Sequence, residues 1–161
     1  MKRQLLFPFF KDGLAQGEAV NFVTHQETPD QILAEMKEFG IDVSCFTGSG
    51  ALHVYPQEVL YYPDGHFDRE RTNRVLMQWY EDAMKKGFSS VRQCGEMTPF
   101  FEHRDLPEMI AYEQALHTKL ELPVRGICAF DVSIVPVPIF RDLIAAHGDS
   151  FFLGPEIQVV A

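Results

Sequence analysis

Three groups of residues have chemistry to offer. The run Ser89 to Met97 (Ser-Ser-Val-Arg-Gln-Cys-Gly-Glu-Met) reads as a buried strand that stops at Gly95 and delivers Glu96 to a loop. Open α/β sheets collect ligands in the crevice outside the carboxyl ends of their strands. A carboxylate at such an end, with Arg92 and Cys94 beside it, suits acid–base work or polar recognition. The second group centres on Glu113. Leu106, Met109, Ile110, Leu116 and Leu120 form an apolar helical stripe, and Glu113, four after Met109 and three before Leu116, shares it. A carboxylate turned into a core is costly unless it is paired and hydrogen-bonded. Arg92 and Arg125, on the two neighbouring strands, are its candidate partners, and a structural ion pair is the plainer reading. The third group is His25, Tyr55, Glu96 and Asp131, all at strand ends, with Cys128 three residues before Asp131.

Other chemistries find no support. There is no HxxxH or CxxC spacing, so no metal site is expected. Cys94 or Cys128 with a histidine would make a thiolate nucleophile, but nothing singles out a pair, and a buried cysteine is usually a small hydrophobe. Neither GxxxxGK[ST] nor a GxGxxG after a strand occurs, and Gly48 and Gly50 precede a strand, the wrong order for cradling phosphate. No cofactor is expected.

The elements that must position these residues alternate along the chain. A helix is expected over Arg3 to Gln16, with Pro8 starting or kinking it. A strand follows over Glu18 to His25. Thr28, Pro29 and Gln31 spell a capping box for a helix that ends at Gly40. After a short turn of helix from Asp42 and a strand at Leu52 to Tyr55, Pro56 to Phe67 reads as an aromatic connection with Pro63-Asp-Gly turn chemistry, a lid or a plain turn. Asp68 caps a helix to about Lys86 whose inward stripe is Thr72, Val75, Leu76, Trp79 and Ala83. Beyond Val91 to Cys94 the pattern gives an irregular Thr98 to Arg104, a helix to about Glu121, a strand at Val124 to Phe130, and a helix from Ile139 to Ala146 closed by Gly148. Phe151 to Leu153 and Ile157 to Val160 suggest a C-terminal hairpin. The expected fold is α/β and three-layered, with a mainly parallel sheet and helices on both faces, in one domain.

Composition bounds the function. The chain has 161 residues, 46% hydrophobic and 23% charged, with a net charge of −9. That is ordinary for a globular protein and wrong for gripping nucleic acid directly. The three cysteines imply no disulfide framework, which suggests a reducing, cytoplasmic setting. No apolar run approaches the roughly 18 residues of a membrane span, and Pro8, Lys11 and Asp12 interrupt the N-terminal apolar stretch, so no targeting segment is read.

Together the runs Tyr61-Tyr-Pro-Asp-Gly-His-Phe-Asp-Arg-Glu70, Val91-Arg-Gln-Cys-Gly-Glu-Met97, Tyr112-Glu113 and Ile127-Cys-Ala-Phe-Asp131 resemble the MEDS domain, a sensory domain named for methanogens, methylotrophs and the regulator DcmR. The resemblance covers nearly the whole chain. It implies a RecA/KaiC-like fold without a phosphate loop, and sensing of small molecules of the hydrocarbon-derivative class. It puts Tyr62, Gly65, Arg92, Gly95, Glu96, Glu113, Cys128 and Asp131 on family motif positions. The family opens with a strand of the form His-x-x-x-Phe-Tyr, whereas this chain starts at the following helix. That central strand would be missing, so the expectation is a fragment, a gap filled by another segment, or a strand supplied by a partner. An open strand edge invites association, so a homo-oligomer is among the expected states.

The reading is therefore a non-enzymatic sensory domain that binds a small molecule and signals to a protein partner in transcriptional or signal-transduction control. Tyr55, Tyr62, Met97 and Phe130 would supply apolar walls, Arg92, Glu96 and Glu113 a polar network, and Cys94, Cys128 and Asp131 further lining. The alternatives are a KaiC-like nucleotide-binding or hydrolytic protein with Glu96 as base, a cysteine hydrolase, and a scaffold that only pairs with other proteins.

Overall fold

A computed structural model describes residues 2–119, 124–146, 151–153 and 158–160. The chain divides into two compact units, one of residues 2–96 and 123–129, the other of residues 97–122 and 130–161.

The first unit holds α1 (Lys2–Ala15), β1 (Ala19–Thr24), α2 (Pro29–Glu38), α3 (Val43–Ser49), β2 (Leu52–Pro56), α4 (Gln57–Leu60), α5 (Arg69–Lys85), β3 (Val91–Glu96) and β4 (Val124–Ala129). The strands form one parallel sheet in the order β2-β1-β3-β4. Phe22 sits opposite Val54 and Cys94, and Cys94 opposite Ile127. β4 pairs directly with β3 from Val91–Val124 to Glu96–Ala129, so the four strands are contiguous. All six residues of β1 are buried, as a strand covered on both faces requires. On one face Leu6, Phe7, Phe10 and Leu14 of α1 and Ile32 and Met36 of α2 close over Val20, Phe22, Leu52 and Cys94. On the other, Ala19 and Val91 meet Ala83, flanked by Tyr80 and Met84 of α5. This is the three-layer α/β arrangement expected.

Local chemistry explains the elements. In α2, Thr28 Oγ1 accepts from Gln31 N–H at 3.3 Å while Gln31 Oε1 accepts from Thr28 N–H at 2.9 Å, and Pro29 opens the helix where its missing N–H costs nothing. Asp68 accepts from Arg71 N–H at 2.9 Å to start α5. α1 runs through Pro8 instead of starting there. One lost hydrogen bond and a ring clash cost about 3 kcal/mol, and fully burying the flanking Phe7 and Phe10 returns about 1.5–3 kcal/mol each. Two expected irregular stretches contain short helices. α4 forms within Pro56 to Phe67 because Gln57 and Leu60 are buried. Thr98 to Arg104 holds a helix for the same reason, with Pro99 in its first turn and Phe100 buried.

That helix is α6 (Thr98–Glu102), the first element of the second unit. It is followed by α7 (Leu106–Lys119), α8 (Val137–Ala146) and an antiparallel pair, β5 (Phe151–Leu153) and β6 (Gln158–Val160). The pair is the expected C-terminal hairpin, with Phe151 opposite Val160 and Leu153 opposite Gln158. Leu120, Glu121, Gly148, Gly154, Pro155 and Ile157 of the expected elements lie outside the described residues. α7 turns Met109, Tyr112 and Glu113 inward and packs beside α8. Among the described residues no helix is long and apolar enough to cross a membrane.

Candidate functional site

At the carboxyl end of the sheet, Glu96 is buried and anchored. Its Oε2 accepts from His25 N–H at 2.6 Å, Gln26 N–H at 3.2 Å and the Thr24 hydroxyl at 3.2 Å. The carboxylate thus serves as an internal anion for the backbone leaving β1, a use of exposed N–H groups that parallels anion binding in backbone nests. Beside it, Gly95 is needed for room: a Cβ there would collide with the Tyr61 hydroxyl.

Arg92 belongs to a different group. It lies four residues before Glu96 on the same strand, about 13 Å away at the usual rise, and faces α1. Its Nε donates to Glu18, its Nη1 to Phe9 O at 2.7 Å and its Nη2 to Asp12 at 2.7 Å, with the guanidinium over the Phe9 ring. Gly13 makes this approach feasible, since a Cβ would sit 2.6 Å from Arg92 Cδ. Arg125 adds a contact to Glu18 at 3.5 Å. The Arg92 hydrogen bond holds the Asp12 carboxyl below its usual range. The expected union of Arg92 with Glu96 is replaced by this buried ion-pair cluster under α1. Cys94 is wholly buried in the same apolar layer.

The hollow of the first unit lies on the opposite face. Asn21 of β1 sits opposite His53 of β2, and Val23 opposite Tyr55, so Asn21, His53 and Tyr55 project to one side. Trp79, Asp82, Ala83 and Lys86 follow helical spacing along and just past α5 and cover them. Between these residues, with Ala19 and Gly50 at the margin, is a cavity of about 90 Å³. Tyr55 is stacked on Trp79 with ring centroids 4.3 Å apart and on His53 at 5.7 Å. Asn21 is 4% exposed. His53 Nδ1 is buried without a hydrogen-bond partner. Burial, and then the Lys86 charge, hold the His53 imidazole below its usual pKa, so the ring is neutral at neutral pH. Burial, and then Asp82, push the Tyr55 phenol up. The Lys86 ammonium lies over Gly50, the left-handed residue that ends α3, 2.7 Å from where a Cβ would be.

The remaining expected residues are spread out. Tyr62 is buried and tilted against Phe67 at 6.2 Å. Cys128 of β4 is half-buried. In the second unit Met97 and Glu113 are buried, so the inward register read for Glu113 holds. Phe130 meets Phe101 edge-on at 6.5 Å. Asp131 Oδ1 accepts from the Ser133 hydroxyl at 2.7 Å and its N–H at 3.0 Å, which keeps its carboxyl below the usual range. This unit also has a wider groove of about 410 Å³ lined by Val132, Val135, Val137, Phe140, Arg141 and Ile144. Val137 there is 85% exposed, so the groove is open surface, whereas the smaller hollow is walled by stacked rings and polar groups. Among the described residues no group of three His, Cys, Asp or Glu side chains could hold a metal.

Of the expected binding residues, the α5-face cavity includes Tyr55. Asn21, His53, Asp82 and Lys86 were not singled out. An amide in the middle of an otherwise apolar strand, and a histidine two residues before Tyr55, were the available signals.

The family model of the MEthanogen/methylotroph, DcmR Sensory domain (MEDS) matches residues 3–148. No curated protein matches the chain.

Proposed function

The chain belongs to the MEDS family of sensory domains, and from that premise we propose that it is a non-enzymatic sensor whose small-molecule ligand enters the cavity between the sheet and α5. The observation that carries this reading is the hollow lined by His53, Tyr55 and Trp79. Small ligands need a concave site with apolar or aromatic walls and convergent polar groups, and here Tyr55 and Trp79 stand beside Asn21, His53, Asp82 and Lys86. About 90 Å³ is roughly three waters' share of the liquid, which suits a hydrocarbon derivative of few atoms. The best tiny ligands reach about −1.5 kcal/mol per non-hydrogen atom, so four atoms give about −6 kcal/mol and a Kd of tens of micromolar at the tightest.

Filling the hollow would reseat α5. The first turn of that helix grips the preceding connection, with Arg71 Nη2 donating to Tyr61 O at 3.2 Å and the Thr72 hydroxyl to Leu60 O at 3.3 Å. The exposed tip at Pro63 to His66 is then the surface that a signalling or transcriptional partner reads. A ligand shifts such an equilibrium only through its differential affinity for the two states. The net charge of −9 favours a protein partner over direct DNA binding. Three donors already engage Glu96, which counts against its use as a hydrolytic base.

Thermal denaturation against a panel of small alcohols, amides, halocarbons and acids tests the reading in the native chain and in Ala83→Leu, which fills the hollow. A ligand at a hundredfold its Kd stabilises by about 2.7 kcal/mol. At least one compound should raise Tm by several degrees in the native chain and leave the variant unmoved. Equal shifts in both proteins, or no shift in either, would sink it.

A further inference from the structure

We infer that the cavity beneath α5 selects a small monocarboxylate, its oxygens held by Lys86 and His53 and its short alkyl end by Trp79 and Ala83. This rests on the sensor reading above and names the ligand class. The local charge is the first argument. Lys85, the neighbour of Lys86, is shared between Glu81 at 3.8 Å and Asp82 at 3.5 Å. Lys86 has no ion-pair partner among the described residues, although it lines the hollow. Asp82 also lines it and helps push the Tyr55 phenol up; its Oδ1 accepts from Gln78 Nε2 at 2.9 Å and lies 3.5 Å from Lys85. The four charges of Glu81, Asp82, Lys85 and Lys86 sum to zero, so an anion here is held by the local Lys86 ammonium and not by a net positive field, which suits a monoanion better than a phosphate dianion.

Hydrogen bonding is the second argument. A buried polar atom without a partner carries a desolvation cost that a ligand can relieve. His53 Nδ1 is such an atom, and in its N–H tautomer it donates to one carboxylate oxygen while Lys86 serves the other. Asn21, buried in the same wall, offers a further amide donor. An alcohol has one oxygen and no charge for the ammonium, and a primary amide turns its own N–H₂ toward a cation. Size is the third argument: the volume suits acetate or propionate, with the alkyl end between the Trp79 ring and Ala83.

Trp79 is the only tryptophan in the chain, so its emission reports on this cavity alone. The full chain is titrated at neutral pH and constant ionic strength with acetate and propionate, and with acetamide, propionamide and 1-propanol as neutral counterparts. Saturable shifts are expected with the carboxylates, at least tenfold tighter than with the neutral molecules. Lys86→Met should weaken propionate at least tenfold and leave 1-propanol unchanged, and His53→Phe, which keeps the aromatic stack, should weaken propionate several-fold with an unchanged thermal melt. Neutral molecules that bind as well as the acids, or a Lys86→Met protein with native propionate affinity, overturn the carboxylate class while leaving the cavity a sensor site. If nothing moves Trp79 while a panel compound still raises Tm equally in native and Ala83→Leu protein, both readings fall.

Discussion

Under α1 and α2 the sheet offers Val20, Phe22, Leu52 and Cys94 to Phe7, Phe10, Ile32 and Met36, each no more than 1% exposed. Under α5 the same strands offer Asn21, His53 and Tyr55 to Trp79, Asp82 and Lys86, a set in which rings are half-buried and charges reach solvent. One face is packed to the density of a core. The other keeps a hollow, an amide and an imidazole that a purely structural layer would exclude, because each costs burial or hydrogen bonding. A sheet anchored firmly from one side can leave its second side loosely filled, and the looser side is where a ligand can do work.

The comparison can be broken in order of size. Phe22→Ala should cost about 3–5 kcal/mol, read as a fall in denaturation midpoint without a change in m-value; a loss under 1 kcal/mol would mean the α1 face is not the anchor. Glu18→Ala removes the buried partner of Arg92 but leaves Asp12 and the Phe9 carbonyl on the guanidinium, so the cost should be about 2 kcal/mol, that of a buried donor left without its acceptor. Glu18→Gln, which keeps one acceptor, should recover part of it. Trp79→Ala should cost only about 1.5–2.5 kcal/mol, half the loss for a fully buried ring, because Trp79 is half-buried. A loss equal to that of Phe22→Ala would erase the distinction between the faces.

The smallest effect is a pH dependence. His53 is held below its usual 6.5 by burial and then by Lys86. Its unfolded state binds the proton more readily, so its contribution to stability is complete above about pH 6.5 and is lost as pH falls toward the lower folded value. Chemical denaturation between pH 8 and pH 5 should show that decline, and His53→Phe should flatten it. The depressed carboxyls of Asp12, Asp68 and Asp131 contribute stability that is lost only as pH falls below the usual carboxylate range near 3.8, so the two windows separate.

Much of this architecture was legible from the sequence because local chemistry carries it. The Thr28–Gln31 box, the Asp68 cap and the alternation of strand and helix need only neighbours along the chain. The burial of Glu113 followed from helical register alone. What failed to read were groups assembled from afar. Arg92 looked like a companion of Glu96 because they are close in sequence, but an extended strand carries such residues to opposite ends of a layer. Its true partners, Glu18 and Asp12, come from the turn after α1 and from α1 itself. α4 spans four residues, too few for periodicity to appear. The cavity draws on β1, β2 and α5, and from these only Tyr55 was marked for binding, with Trp79 and Ala83 assigned to packing.

A native mass spectrum of the protein sprayed in the presence of about 1 mM of each panel compound, well above a Kd of tens of micromolar, addresses the central claim most directly. The account predicts a retained small molecule on the native chain, released on unfolding, and a bare mass for Ala83→Leu prepared in the same way. A bare native chain, or the same adduct on the filled variant, would contradict it.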